Sequence, residues 1–323
     1  MGEMQFRSLG HSGLMVSVVG VGCNAFGSRI DAEQVQRIVD AAFEQEVTLF
    51  DTADSYGGGA SEELLGRALG SRREQVVVAT KFGMGEHHAE HWGAHGSRRY
   101  VRRAVEASLR RLGTDYLDLY QLHRPDPVTP VEETLEAMSE LVTEGKVRYI
   151  GSSNFAAWQV TEAEWTARMS GTRRFISAQN EYSLYNRLAE RELVPACEAA
   201  GVGILPYFPL AYGLLTGKYR RGSAAPEGSR LALGNQASRL EAARWDRIEA
   251  LRFFAENRGI SMLTLAIGGL AAQPAVASVI SGITRPEQVE TNARAGLWEP
   301  TAEDLRDLDE LKERPEFSYR SFA

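Results

Sequence analysis

The sequence predicts a single closed (β/α)8 TIM barrel, and three observations carry that prediction. Short β-rich apolar runs alternate with amphipathic helical stretches along nearly the whole chain, the order that builds a parallel sheet sheathed in helices. The alternation can be followed through eight β–α units, the number that closes a barrel. No linker, composition break or low-complexity tract interrupts it, so residues 1–323 read as one domain.

Residues 5–19 predict an N-terminal β-hairpin turning between Gly10 and Gly13. The first barrel strand follows as VVGVG and ends at Gly22. Residues 20–25 fit the loose dinucleotide pattern GxGxxA, but that pattern needs a helix opening at once, and Phe26-Gly27-Ser28 disfavours one. Asp31 then caps a helix whose apolar face is Val35, Ile38, Val39, Ala42 and Phe43. Later strands are expected at 48–51, 76–81, 116–122, 147–152, 175–179, 203–207 and 276–280. Helices are expected near 62–70, 98–111, 131–144, 156–168, 188–200, 242–258, 261–271 and 286–295, with an extra C-terminal helix over 301–314. Loops at 83–97 and 216–240 and an aromatic-bearing tail at 313–323 are placed at the barrel mouth.

Composition narrows the function classes. A net charge of -7 argues against a nucleic-acid or membrane-surface partner, while leaving room for a local basic pocket. There is no signal segment and no apolar run of ~20 residues, and the two cysteines, Cys23 and Cys197, suit a reducing compartment, so the expectation is cytoplasmic. The stretch His87-His88-Ala89-Glu90-His91 matches a zinc-protease pattern, but flanking glycines break the helix that pattern needs, and no metal is expected.

The organising stretch is TLFDTADSYGGGASEELLG, residues 48–66. Asp51 closes a short apolar strand, Tyr56 follows in its loop, and Ser61 is expected to cap the next helix. Lys81 and His123 close the next two strands, unusual terminators for apolar parallel strands. Barrel enzymes place their chemistry at the C-terminal ends of strands, so these residues converge. A buried lysine needs a partner, and Asp51 is the obvious one. A nearby ammonium favours the phenolate of Tyr56, and His123 can donate a hydrogen bond to a carbonyl oxygen. The set fits carbonyl reduction, with Tyr56 giving the proton and a nicotinamide the hydride, since no side chain donates hydride.

The chain resembles the aldo-keto reductase family, on FDTADSYGGGASEELLG, VVATKFG, LDLYQLHRPD, IGSSNF, AQNEYS, YFPLAYGLLTGKY and SVISGITRPEQVETN, in order over most of its length. The resemblance implies an NADPH-dependent oxidoreductase acting on an aldehyde or ketone, with Asp51, Tyr56, Lys81 and His123 as catalytic tetrad. Ser153, Asn154 and Gln179 suit a nicotinamide carboxamide by their donors and acceptors, and the resemblance implies the same, with Tyr207 stacked on the ring. Gly22, Cys23, Asn24 and Asp51 are expected beside the cofactor. Pro209, Leu210, Gly213, Leu215 and Lys218 are expected around its pyrophosphate. Gly282, Thr284, Arg285, Gln288 and Asn292 are expected around an adenosine 2′-phosphate. Ser281 stands where the family commonly has proline, and position 282 lacks the lysine some members use, so NADH is kept beside NADPH. Phe26 and Trp92 are expected as apolar walls of the substrate pocket, with Tyr56 and His123 at its base. The alternative is an NADPH-binding sensor or regulatory subunit acting on a partner protein, because the resemblance includes such members. Neither the particular carbonyl compound nor the oligomeric state is legible.

Overall fold

Strands buried on both faces must be apolar almost throughout, and that is how the barrel strands are built. The computed structural model describes residues 3–84, 93–232 and 236–312. Ahead of the barrel, β1 (Phe6–Ser8) and β2 (Met15–Ser17) pair antiparallel. The barrel strands are β3 (Val19–Gly22), β4 (Leu49–Asp51), β5 (Val77–Phe82), β6 (Leu117–Leu122), β7 (Val147–Ser153), β8 (Phe175–Gln179), β9 (Gly203–Ile204) and β10 (Val279–Gly282). They pair parallel in the order β10-β3-β4-β5-β6-β7-β8-β9. The seam between the last two closes through a bridge from Ile204 to Val276, with Ile204 N–H donating to the Ala275 carbonyl at 2.7 Å.

The outer helices are α1 (Ala32–Glu44), α2 (Ala60–Leu69), α3 (Arg98–Leu112), α4 (Val131–Thr143), α5 (Ala157–Ser170), α6 (Leu193–Ala200), α7 (Ala237–Glu241), α8 (Trp245–Asn257), α9 (Met262–Ala271), α10 (Pro286–Gly296) and α11 (Ala302–Glu310). Among the described residues, no helix is long and apolar enough to cross a membrane. Asp31 caps α1 as its sequence predicts, its side chain accepting from Gln34 N–H. The main core lies between sheet and helices. A separate apolar cluster fills the barrel interior, where Leu9 and Val16 of the hairpin region join Leu49, Ala79, Leu119 and Leu205. The hairpin therefore plugs the N-terminal end and leaves the C-terminal mouth for chemistry. Burying each such side chain contributes about 1.5–3 kcal/mol.

Several expected boundaries shift for local reasons. The strand expected over 203–207 is continuous only at Gly203–Ile204, because Pro206 has no N–H to give the ladder, and pairing resumes as a bridge between Tyr207 and Glu181. The strand expected over 276–280 becomes Val279–Gly282, with Val276 reduced to the seam bridge. The helix expected over 188–200 splits into a turn at Leu188–Glu190 and α6, since Pro195 confines a helix start to the residues just before it. The helix expected from 242 begins at Trp245.

Ser61 does not cap α2. The cap is Gly59 at φ 101°, after Gly57 and Gly58 at φ 59° and 65°. Three successive left-handed residues bring the helix in early and draw Ser61 inside it, where its hydroxyl donates to the Cys23 carbonyl at 2.8 Å and meets the Thr52 hydroxyl. A Cβ at Gly59 would stand 2.8 Å from Arg111 Cδ. Gly59→Ala is expected to destabilise the fold by about 1–3 kcal/mol, read as a lower midpoint in urea unfolding.

Candidate active site

Asp51, the last residue of β4, and Lys81, in β5, occupy neighbouring strands in one parallel register, so their side chains meet inside the mouth. Lys81 is fully buried and uses all three ammonium hydrogens. It donates to Asp51 Oδ2 at 2.8 Å, to the Thr52 carbonyl at 2.8 Å and to the Tyr56 hydroxyl at 3.3 Å. Burial works against its charge, but Asp51 and Tyr56 outweigh burial and hold it above its ordinary pKa. Tyr56 comes from the turn after β4. Its ring meets the His123 ring edge-on with centroids 5.9 Å apart.

The sequence led us to expect that Lys81 makes the phenol more acidic. The balance falls the other way: burial raises the Tyr56 pKa above 10, and Lys81 offsets only part of that. His123 is pushed down to about 2 by burial and by the charges of Lys81 and Arg124, so its imidazole is neutral at any working pH. Among the described residues its buried Nδ1 has no hydrogen-bond partner.

The carboxamide candidates are tied to this group by hydrogen bonds. Gln179 Nε2 donates to Asp51 Oδ1 at 2.8 Å, an orientation the acceptor-only carboxylate dictates, and leaves the amide oxygen for a ligand. Asn154 Nδ2 donates to the His123 carbonyl at 2.9 Å, and its Oδ1 accepts from the Tyr207 hydroxyl at 2.7 Å. Ser153 donates to the Gln179 carbonyl. A cavity of about 550 Å3 is lined by Asp51, Tyr56, His123, Ser153, Asn154, Gln179, Tyr207, Gly22, Asn24 and Gly282.

A second cavity of about 460 Å3 shares Asn24 and Gly282 with the first. It gathers Pro209, Leu210, Gly213, Lys218, Thr284, Arg285 and Gln288. The Gln288 amide oxygen accepts from the backbone N–H of Thr284 and of Arg285, fixing the start of α10. Two further arginines line this cavity, Arg29 and Arg230. Burial lowers the Arg230 pKa, and Arg29 and Arg239 add to that through repulsion. A carboxamide needs paired donors and acceptors, and a dinucleotide needs cations at its phosphates. The two adjoining cavities offer these in that order, so the residues present fit a nicotinamide dinucleotide.

Four expected contacts fall elsewhere. Phe26, expected on the substrate wall, is fully buried in the core. Cys23, Leu215 and Asn292 are also buried and line neither cavity. Cys23 is drawn inward where its thiol meets the Val21 carbonyl, and Leu215 packs into an apolar cluster with Leu184, Leu214 and Leu265. The apolar wall instead includes Met84 and Phe208. Trp92, the His87–His91 run and the tail from 313 lie outside the described residues. Sequence reasoning missed Thr52, whose carbonyl anchors Lys81, and Arg29, Arg124 and Arg230. Only Arg124 carried a signal, standing next to His123 at a strand end.

Fold and site together define a nicotinamide-dependent carbonyl oxidoreductase of the barrel type. The chain belongs to the Aldo/keto reductase family, whose model matches residues 18–313. It is 36% identical to a probable voltage-gated potassium channel subunit beta of Arabidopsis thaliana, over 90% of this chain and 91% of that one. It is 33% identical to the versiconal hemiacetal acetate reductase of Aspergillus parasiticus, over 95% and 96%. It is 34% identical to a probable aldo-keto reductase of Glycine max, over 95% and 89%.

One more acid, half-buried, stands beside this site. Asp54 donates its backbone N–H to the Lys81 carbonyl, and among the described residues its buried Oδ1 has no partner. Burial and the neighbouring Glu62 raise its carboxyl to about 7, against the pull of Arg111. A carboxyl raised on folding stabilises the native state fully below ~pH 3.9 and loses that contribution as pH rises through the folded value. Asp54→Asn is therefore expected to gain stability relative to wild type between pH 5 and 8, measured by urea unfolding at each pH.

Proposed function

We propose that this protein is an NADPH-dependent reductase of aldehydes and ketones, reversible toward alcohol oxidation, with Tyr56 as the general acid. The observation that carries the reading is the fully buried Lys81 ammonium shared between Asp51 Oδ2 and the Tyr56 hydroxyl. Bound NADPH supplies the hydride that reaches the carbonyl carbon. Tyr56 is fully protonated at neutral pH, so the acid is loaded before reaction. As its proton passes to the carbonyl oxygen, the forming phenolate lies against Lys81, whose charge Asp51 keeps in place. Neutral His123, which lines the same cavity as Tyr56, donates to the same oxygen and orients it. Solvent returns a proton to the phenolate once the alcohol has formed.

Gln179 joins the two halves of the site, since one amide faces both Asp51 and the place a carboxamide would occupy. Arg285, Arg29, Arg230 and Lys218 supply the cations that suit the phosphates of NADPH. The relatives named as potassium channel beta subunits favour a second reading, a cofactor-binding subunit that acts on a partner protein. Steady turnover of a test aldehyde separates the two, because cofactor binding alone would appear in both.

Tyr56→Phe is expected to lower reductase kcat by about 10²–10⁴-fold while NADPH affinity, followed by its fluorescence, stays within a few-fold. Unchanged turnover would remove Tyr56 as the acid. The pH profile follows from the two shifted groups. Reductive kcat/KM is expected to run flat from pH 6 to 9, with no inflection near 6.5 from His123, whereas alcohol oxidation, which needs the phenolate, rises toward and beyond pH 10. Arg285→Ala is expected to raise KM for NADPH by about tenfold and KM for NADH by much less.

A further inference from the structure

Among the described residues, two charged side chains line the cavity that holds Tyr56 and His123: Asp51 and Arg124. Asp51 is spent on Lys81 and Gln179. Arg124 is not spent. It is exposed on the cavity wall, and among the described residues it has no ion pair, no hydrogen bond and no ring beneath it.

Its local sequence explains both its position and its freedom. Arg124 follows His123 directly, just past the C-terminal end of β6. Pro125 restricts its backbone to extended conformations, so the loop leaves the strand stiffly. The nearest acid in sequence, Asp126, is committed elsewhere. Its Oδ2 accepts from Gly96 N–H at 2.6 Å and the Thr129 hydroxyl at 2.7 Å, and its Oδ1 from Val128 N–H at 3.0 Å. These bonds hold Asp126 below its ordinary carboxyl pKa, as an ionised acceptor that is already satisfied. Met84 and Phe208 share the cavity, and apolar neighbours strengthen a charge-assisted bond formed there.

We propose that Arg124 receives an anionic group on the substrate, so that the favoured substrates are aldehydes or ketones bearing a carboxylate or a phosphate ester. The proposal rests on the reductase reading and names its substrate class. The reaction balances without touching that group. The carbonyl gains a hydride from NADPH and a proton from Tyr56, the cofactor leaves as NADP+, the phenolate regains a proton from solvent, and the anion stays on Arg124 throughout.

The test uses matched pairs scored by NADPH consumption in wild type, Arg124→Leu and Arg124→Lys. One pair is 4-oxobutanoate against butanal, and the other is glyceraldehyde 3-phosphate against glyceraldehyde. Wild type is expected to favour the charged member of at least one pair by about 10–100-fold in kcat/KM, mostly through KM. The pair that shows the preference identifies the anion. Arg124→Leu is expected to bring that ratio within about threefold of unity, and Arg124→Lys to keep part of it. Calorimetry with 4-hydroxybutanoate, or with glycerol 3-phosphate where the phosphate pair shows the preference, on NADP+-loaded protein is expected to show binding that Arg124→Leu loses. Equal handling of both members of both pairs by wild type, or a preference that survives in Arg124→Leu, overturns the proposal and leaves the reductase reading standing. Failure to reduce any aldehyde of the panel while NADPH still binds overturns both.

Discussion

The ion pair between Lys81 and Asp51 is the constraint on which the mouth of this barrel is built. An ammonium with no solvent contact is tolerable only when each of its hydrogens has a partner, and leaving one member of a buried pair alone costs about 3–5 kcal/mol. Here the partners are a carboxylate, a backbone carbonyl and a phenol, all delivered by β4 and the turn that follows it. The turn therefore cannot adopt another path without stranding the charge. Its glycines, the early start of α2 and the inward placement of Ser61 are consequences of bringing Tyr56 back onto Lys81.

The same economy extends to the cofactor half. Gln179 lies on β8, three strands beyond β5 in the sheet, yet its amide closes the second oxygen of Asp51. Asn154 does the equivalent for the backbone at His123 and for Tyr207. The polar groups expected to hold a carboxamide are thus already fixed by the groups expected to handle the proton. Such preorganisation keeps both sets in working geometry without reorganisation during reaction.

Burial has opposite effects on different members of the site. It leaves His123 neutral and Tyr56 protonated, states suited to donating hydrogen bonds and protons. It keeps Lys81 charged only because the neighbouring carboxylate outweighs desolvation. Sequence reasoning assigned the ammonium the task of acidifying the resting phenol. In the desolvated setting the ammonium would act on the proposed acid at the moment of transfer, when negative charge on the phenol oxygen would form beside a cation already in place.

Much was legible in the sequence because it was local or periodic. Strand-closing polar residues at 51, 81 and 123 stand out against apolar runs, and Asp31 capping α1 follows from short-range hydrogen bonding. Eight alternations were enough to predict the barrel, and parallel strand order then placed Asp51, Lys81 and His123 at one end. Only the tertiary structure decided what depended on packing depth and on neighbours far apart in the chain. Phe26 and Cys23 sit in the segment after β3 that sequence placed at the site, but the interior takes their side chains. Arg29 and Arg230 meet across a cavity from segments some two hundred residues apart, and no spacing in the chain encodes that approach. Sequence thus determined which chemical groups this protein brings to the barrel mouth, because strand ends announce themselves in the order of residues. Folding decided which of them are dry, paired or free, because desolvation and long-range contact exist only once the sheet has closed.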